Sequence, residues 1–80
     1  MKITLESTSK LVEFEVGNAI VPARIWEGHT DSGIPVHCFI TRIAIDRNDA
    51  KANEQFAKEL LEQKPPSITV GRAYPLRIVL

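Results

Sequence analysis

One cysteine in eighty residues excludes an internal disulfide. With two histidines it is also too small a set of soft ligands for a structural zinc, so neither a metal nor another cofactor is expected. Aromatic residues are scarce: one Trp, one Tyr and three Phe. Sheets that stack single-stranded bases usually carry several aromatics on one face, so this scarcity disfavours nucleic-acid binding. Charge of neither sign is in excess. Ten Lys and Arg balance ten Asp and Glu, where a partner of polyanionic character would call for a basic surplus. No apolar run approaches the roughly 20 residues of a membrane span. Met1–Glu6 lacks the long apolar core of a secretory leader. A lone cysteine behind such a start suggests a reducing, cytoplasmic setting. The four glycines (17, 28, 33 and 71) stand singly, and none lies between a strand and a helix start, where a phosphate-binding loop would need it.

What is present is a globular composition, 44% apolar, sized for a single domain over residues 1–80. A core in a chain this short supplies only about 3–5 kcal/mol, so unusually good packing or self-association is expected to add to it.

Ile3 and Leu5 alternate with polar neighbours, as in a short half-buried strand, and Ser7–Lys10 has the polarity of a turn. Val12, Phe14 and Val16 alternate with Glu13 and Glu15, the clearest strand signal in the chain. Gly17-Asn18 suits a two-residue hairpin loop, with the next strand running from Ala19 to about Glu27. That loop sets Phe14 against Val21 and Val12 against Ala23, and puts Glu13 diagonal to Arg24 on the opposite face. His29–Gly33 forms the next turn, and Ile34–Asp46 a long strand. A three-residue loop ending at Gly33 sets Phe39 against Ile25, Thr41 against Ala23 and Ile43 against Val21. A two-residue loop would slip the register and oppose Phe39 to Trp26. The first arrangement keeps both arginines off the core and gathers Val12, Phe14, Val21, Ala23, Ile25, Phe39, Ile43 and Ile45 on one face.

A helix is predicted from about Asp49 to Gln63, capped by Asn48 or Asp49 and stopped before Pro65-Pro66. Its apolar stripe is Ala52, Phe56, Ala57, Leu60 and Leu61. Tyr74–Leu80 reads as a last strand, which Pro75 places at its start or at a sheet edge. The expected fold is therefore α+β: a mainly antiparallel sheet of four or five strands in the order ββββαβ, with one amphipathic helix on one face.

Three groups could carry chemistry. Asp31-Ser32-Gly33 has the form of an aspartic-peptidase loop, which would need a homodimer to supply a second carboxylate. The residues before it are polar rather than apolar, and Asp, Ser and Gly are ordinary turn residues. His29, His37 and Cys38 offer imidazoles and a thiol, but His37 and Cys38 are adjacent in a strand and point to opposite faces. Trp26, Arg24 and Arg42 could form a basic, aromatic strip for single-stranded nucleic acid, opposed by Glu13 and Glu15 on the same face. A fourth group is a surface rather than a reaction centre. With the helix on the face of Val12 and Phe14, the other face shows Trp26, Arg24, Arg42, Ile40, Cys38 and Glu13. An apolar patch around a Trp with arginines at its margin is the composition of a protein interface.

Val21–Gly28, Ser32–Val36 and Phe39–Ala44 together resemble a group of short uncharacterised proteins encoded by bacteriophages, prophages and related mobile elements. The resemblance covers residues 21–44 and implies no activity. It implies a setting in which small accessory proteins bind a host or phage protein, in some cases as inhibitors. The sequence reading is thus a non-enzymatic interaction module, with a second copy of itself or a host or phage protein as partner.

Overall fold

The computed structural model describes residues 1–67. They form three strands and one helix in the order β1 (Ile3–Val16), β2 (Ala19–Thr30), β3 (Pro35–Ile40) and α1 (Ala50–Glu59). The strands make an antiparallel sheet in the order β1-β2-β3. The α+β class holds, but the two strands expected before Gly17 are a single strand. The last strand expected at Tyr74–Leu80 lies outside the described residues.

Ser7–Lys10 is polar for a reason other than a turn. Ser7 pairs with Trp26 and Leu11 with Arg24, so Thr8, Ser9 and Lys10 oppose Ile25 alone. This is a β-bulge with two surplus residues, an even number, which leaves the side-chain alternation on both sides of it in phase. Its displaced backbone groups find other partners. The Thr8 hydroxyl, fully buried, donates to the Ile25 carbonyl at 2.5 Å. The Arg24 guanidinium donates to the Thr8 carbonyl at 2.9 Å. Ser9 N–H donates to the Lys64 carbonyl and Lys64 N–H to the Ser7 carbonyl, at 3.0 and 3.1 Å. A chain that keeps all these bonds stays extended, which is why no turn forms.

Both hairpin registers follow the alternation. Phe14 pairs with Val21, Val12 with Ala23, and Phe39 with Ile25 across the three-residue loop Asp31–Gly33. Gly17 and Gly33 adopt φ of 63° and 88°, the left-handed region that those loops require. The Phe14 and Phe39 rings meet edge to face, with centroids 5.2 Å apart. They reach each other across β2, where the residue between their two partners is Ala23, small enough to leave room. Ala23 and Ile25, 3% and 4% exposed, are the only buried apolar side chains among the described residues.

β3 ends at Ile40 rather than Asp46, so the expected pairs Thr41–Ala23 and Ile43–Val21 do not form. The cause lies in β2. Pro22 has no N–H to donate, and because the ladder with β1 continues through Glu13–Pro22, its missing donor falls on the β3 side. Ile43 and Ile45 leave the core face and are 45% and 38% exposed.

α1 begins at the expected cap. The Asp49 carboxylate accepts from Ala52 N–H at 2.9 Å, and its carbonyl accepts from Asn53 N–H. The Asp49→Ala variant is expected to lose about 1 kcal/mol of stability, the usual cost of an N-cap, read as a lowered urea midpoint. The helix stops at Glu59, short of Gln63. Lys64 is already committed to the edge of β1, and the chain needs Leu60–Gln63 to turn toward it. No α1 side chain is fully buried, and of its expected apolar stripe only Phe56 is half-buried.

Candidate functional site: a cleft over Trp26

Alternation along β2 sends Ala23, Ile25 and Glu27 to one face and Pro22, Arg24 and Trp26 to the other. The ladders add Leu11 and Glu13 from β1 and Cys38 and Ile40 from β3 to the Trp26 face. Five of the six residues expected to form an interface thus share this sheet face. The sixth, Arg42, lies just past β3 and joins them at the wall of a cleft. The face is not open, however. A cleft of about 850 Å³ separates it from α1, with Leu5, Leu11, Trp26 and Ile40 on one wall and Phe56 and Leu60 on the other. The helix was expected on the face of Val12 and Phe14. It lies on the other because Thr41, Arg42 and Ile43, released from the ladder at Pro22, carry the chain round the Trp26 side.

Trp26 stands between Ser7 on β1 and Cys38 on β3, two small neighbours that leave its ring accessible from the cleft. The cleft is apolar in its middle and charged at its margin, where Glu6, Arg24, Arg42, Glu59, Glu62 and Lys64 stand. Three of these charges, Arg24, Glu6 and Lys64, already have partners. Arg24 holds the bulge carbonyl rather than Glu13, and no Glu13–Arg24 ion pair forms among the described residues.

Lys64 belongs to a second cluster, on the opposite face of the sheet. Glu27 is 7% exposed, and its carboxylate accepts from Ser67 N–H at 3.0 Å. Lys64 Nζ lies 3.6 Å from Glu27 Oε2 and 4.0 Å from Glu6 Oε2. Glu6 and Glu27 are cross-strand partners, so Lys64 offsets the repulsion of two facing carboxylates. His37 Nε2, across from Glu27 on β3, is 3.6 Å away. Burial pushes the Glu27 carboxyl up, but the Ser67 side-chain and backbone hydrogen bonds and the charges of Lys64 and His37 hold it below its ordinary value of 4.5. A carboxyl whose folded pKa is depressed stabilises the fold above its unfolded pKa. That contribution is complete above about pH 5 and is lost as pH falls through the folded value. In urea titrations the midpoint of the parent chain is expected to drop below pH 4.5 toward that of Glu27→Gln, and equal pH slopes for the two would refute the assignment.

The Glu27–His37 pair was implicit in the sequence, since the register that joins Phe39 to Ile25 also joins His37 to Glu27. Its burial and the participation of Lys64 and Ser67 had no sequence signal, because they arrive from a segment some forty residues away. The cluster does not have the order of a hydrolytic triad. Glu27 lies between Ser67 and His37, whereas nucleophile activation needs the imidazole in the middle.

Asp31 sits exposed in the β2–β3 loop, where Gly33 N–H donates to the Thr30 carbonyl at 3.0 Å and closes the turn. His29 and His37 share the Glu27 face, and Cys38 points to the Trp26 face. Among the described residues no three His, Cys, Asp or Glu side chains are placed to hold a metal ion. Nor is any helix there long and apolar enough to cross a membrane. No protein-family model, curated protein or solved structure matches the chain.

Proposed function

We propose that this chain is a non-enzymatic protein-interaction module that receives a partner's apolar side chains in the cleft between Trp26 and α1. The observation that carries this reading is the cleft itself, walled by Trp26, Leu11, Ile40, Phe56 and Leu60 and filled by none of them. Leu11 is 59% exposed and Leu60 48%, in a protein whose described residues bury only two apolar side chains. Apolar area left open in a domain this small is stabilising only when something covers it. A Trp at the centre of such a patch, with an arginine at its margin, is the composition of an interaction hot spot. The phage-like pattern of residues 21–44 supports a host or phage protein, or a second copy of the chain, as the partner. Six marginal charges of balanced sign, with Arg24 and Lys64 already engaged, leave little to attract a polyanion.

The test is solution mass by light scattering, with Trp26 emission followed as concentration rises and as cell protein or an oligonucleotide is added. A blue shift of Trp26 on self-association or on addition of a protein fraction is the expected result. A monomer whose Trp26 responds only to the oligonucleotide, with a steep salt dependence, would overturn the reading.

A further inference from the structure

We propose that Glu27 is a latch: from the far face of the sheet it fixes the Lys64–Ser67 segment, and through that segment the position of α1 over Trp26. The inference rests on the reading of the cleft as a binding surface only for its biological use. Its physical content stands alone.

The helix has little hold of its own on the sheet. None of its side chains is fully buried, and between its Phe56 and Leu60 and the Trp26 face lies the cleft. Its position is therefore set by its two ends. At the N-terminal end it is joined to β3 by residues 41–49, of which none belongs to a strand. At the C-terminal end Leu60–Gln63 leads directly into Lys64, and Lys64 is fixed. Its backbone makes a short parallel bridge with the β1 bulge, and its ammonium reaches Glu27 and Glu6. Three residues further on, Ser67 N–H closes on the Glu27 carboxylate.

One buried carboxylate thus holds two points of the same strap. The charged and titratable groups around it are Glu6 from β1, His37 from β3, Lys64 from the strap and His29 two residues along β2 on the same face. Of these only Lys64 is a permanent cation, so removing the Glu27 charge leaves its ammonium to Glu6, weakens the Ser67 hold, and leaves the strap to the two backbone hydrogen bonds of Lys64 with the β1 bulge. With the strap held by that backbone bridge alone, the C-terminal end of α1 is restrained less, and the cleft opens more often.

The chain carries its own reporters, because its single Trp lines the cleft and its single Cys is the cross-strand neighbour of that Trp on the same sheet face. Two variants isolate the latch. Glu27→Gln removes the charge, and Ser67→Pro, at an exposed position, removes both the N–H and the hydroxyl that bond the carboxylate. In each, acrylamide quenching of Trp26 is expected to rise about twofold as the closed population falls, and Cys38 is expected to react faster with a thiol reagent. The sheet signal in far-ultraviolet circular dichroism stays that of the parent. Parental quenching in a variant that retains the sheet would overturn the latch, and so would loss of the sheet in both variants, which would make the cluster a plain element of the fold. Failure of the binding reading would look different: parental Trp26 unresponsive to protein while the quenching of the latch variants still rises.

Discussion

Replacing Trp26 with aspartate is expected to weaken partner binding at least about a hundredfold, a loss of some 2.7 kcal/mol or more. The figure follows from where the side chain stands. Trp26 is half-buried, lies between two small cross-strand neighbours and is the one Trp of the chain, on the wall of the cleft. A partner that covers it removes both faces of the contact from water, and aspartate would then have to be desolvated among apolar side chains, with the nearby Arg24 already donating to the Thr8 carbonyl. In the free protein the same aspartate opens onto the cleft, where water can reach it, so the variant remains folded. The pairing of these two outcomes is the point of the experiment. Titration calorimetry or light scattering reads the association, and circular dichroism reads the fold. A folded Trp26→Asp variant that associates like the parent would show that the binding surface is elsewhere. Trp26→Phe, which keeps an apolar ring, is expected to retain most of the affinity.

Gly28→Ala is expected to cost about 3 kcal/mol or more, enough to lower the melting temperature of a domain this size by about 15 °C. Gly28 lies in β2, the central strand, paired with Leu5 on one side and Val36 on the other. A Cβ built on it would overlap the backbone carbonyl of Thr4. A main-chain carbonyl in a ladder cannot swing aside as a flexible side chain can, so β1 would have to separate from β2 along Ile3–Ser7. The other two described glycines make the contrast. A Cβ on Gly17 or Gly33 meets nothing, and the cost there is only that of holding alanine at positive φ, about 1 kcal/mol. Thermal melts of the three alanine variants give the ranking directly. A Gly28→Ala loss no larger than that of Gly17→Ala would mean that the two strands do not approach as described.

These two positions also measure what can be read from a sequence. Trp26 was singled out from composition and alternation, and its face-mates Arg24, Cys38 and Ile40 followed from one hairpin register. Gly28 falls between the end expected for the strand at about Glu27 and the turn expected at His29–Gly33, and no local pattern gives it a role. Nothing local distinguishes a glycine needed for φ from one needed because another strand passes close by. Ser7–Lys10 poses the same ambiguity. Four polar residues between two alternating runs suit either a turn or a bulge. The choice fell to Thr8, Arg24 and Lys64, which supply partners for an extended backbone.

Pro22 is an instructive intermediate case. Its inability to donate was available from the sequence, and it limits β3 to Ile40. The consequence could be drawn only once the register had placed it opposite Arg42, where the third strand would have continued. The Glu27 cluster is a fuller instance. The cross-strand His37 was legible from the register, but Lys64 and Ser67 reach Glu27 through a loop closure that no periodicity encodes.

By itself the sequence determined the elements whose cause is local: two hairpins with their registers, set by alternation and loop glycines, and a helix start, set by Asp49. It also determined that the apolar residues would divide between two sheet faces, because a strand's side chains alternate. Only the tertiary structure decided which of those faces the helix would lie over. An amphipathic stripe states that a helix has an apolar side, but both faces of this sheet offer apolar partners, and the stripe cannot choose between them. The choice was made by the ends of the helix, by Pro22 releasing the chain before it and by Glu27 holding the chain after it. Those two constraints set α1 over Trp26 with a cleft between them.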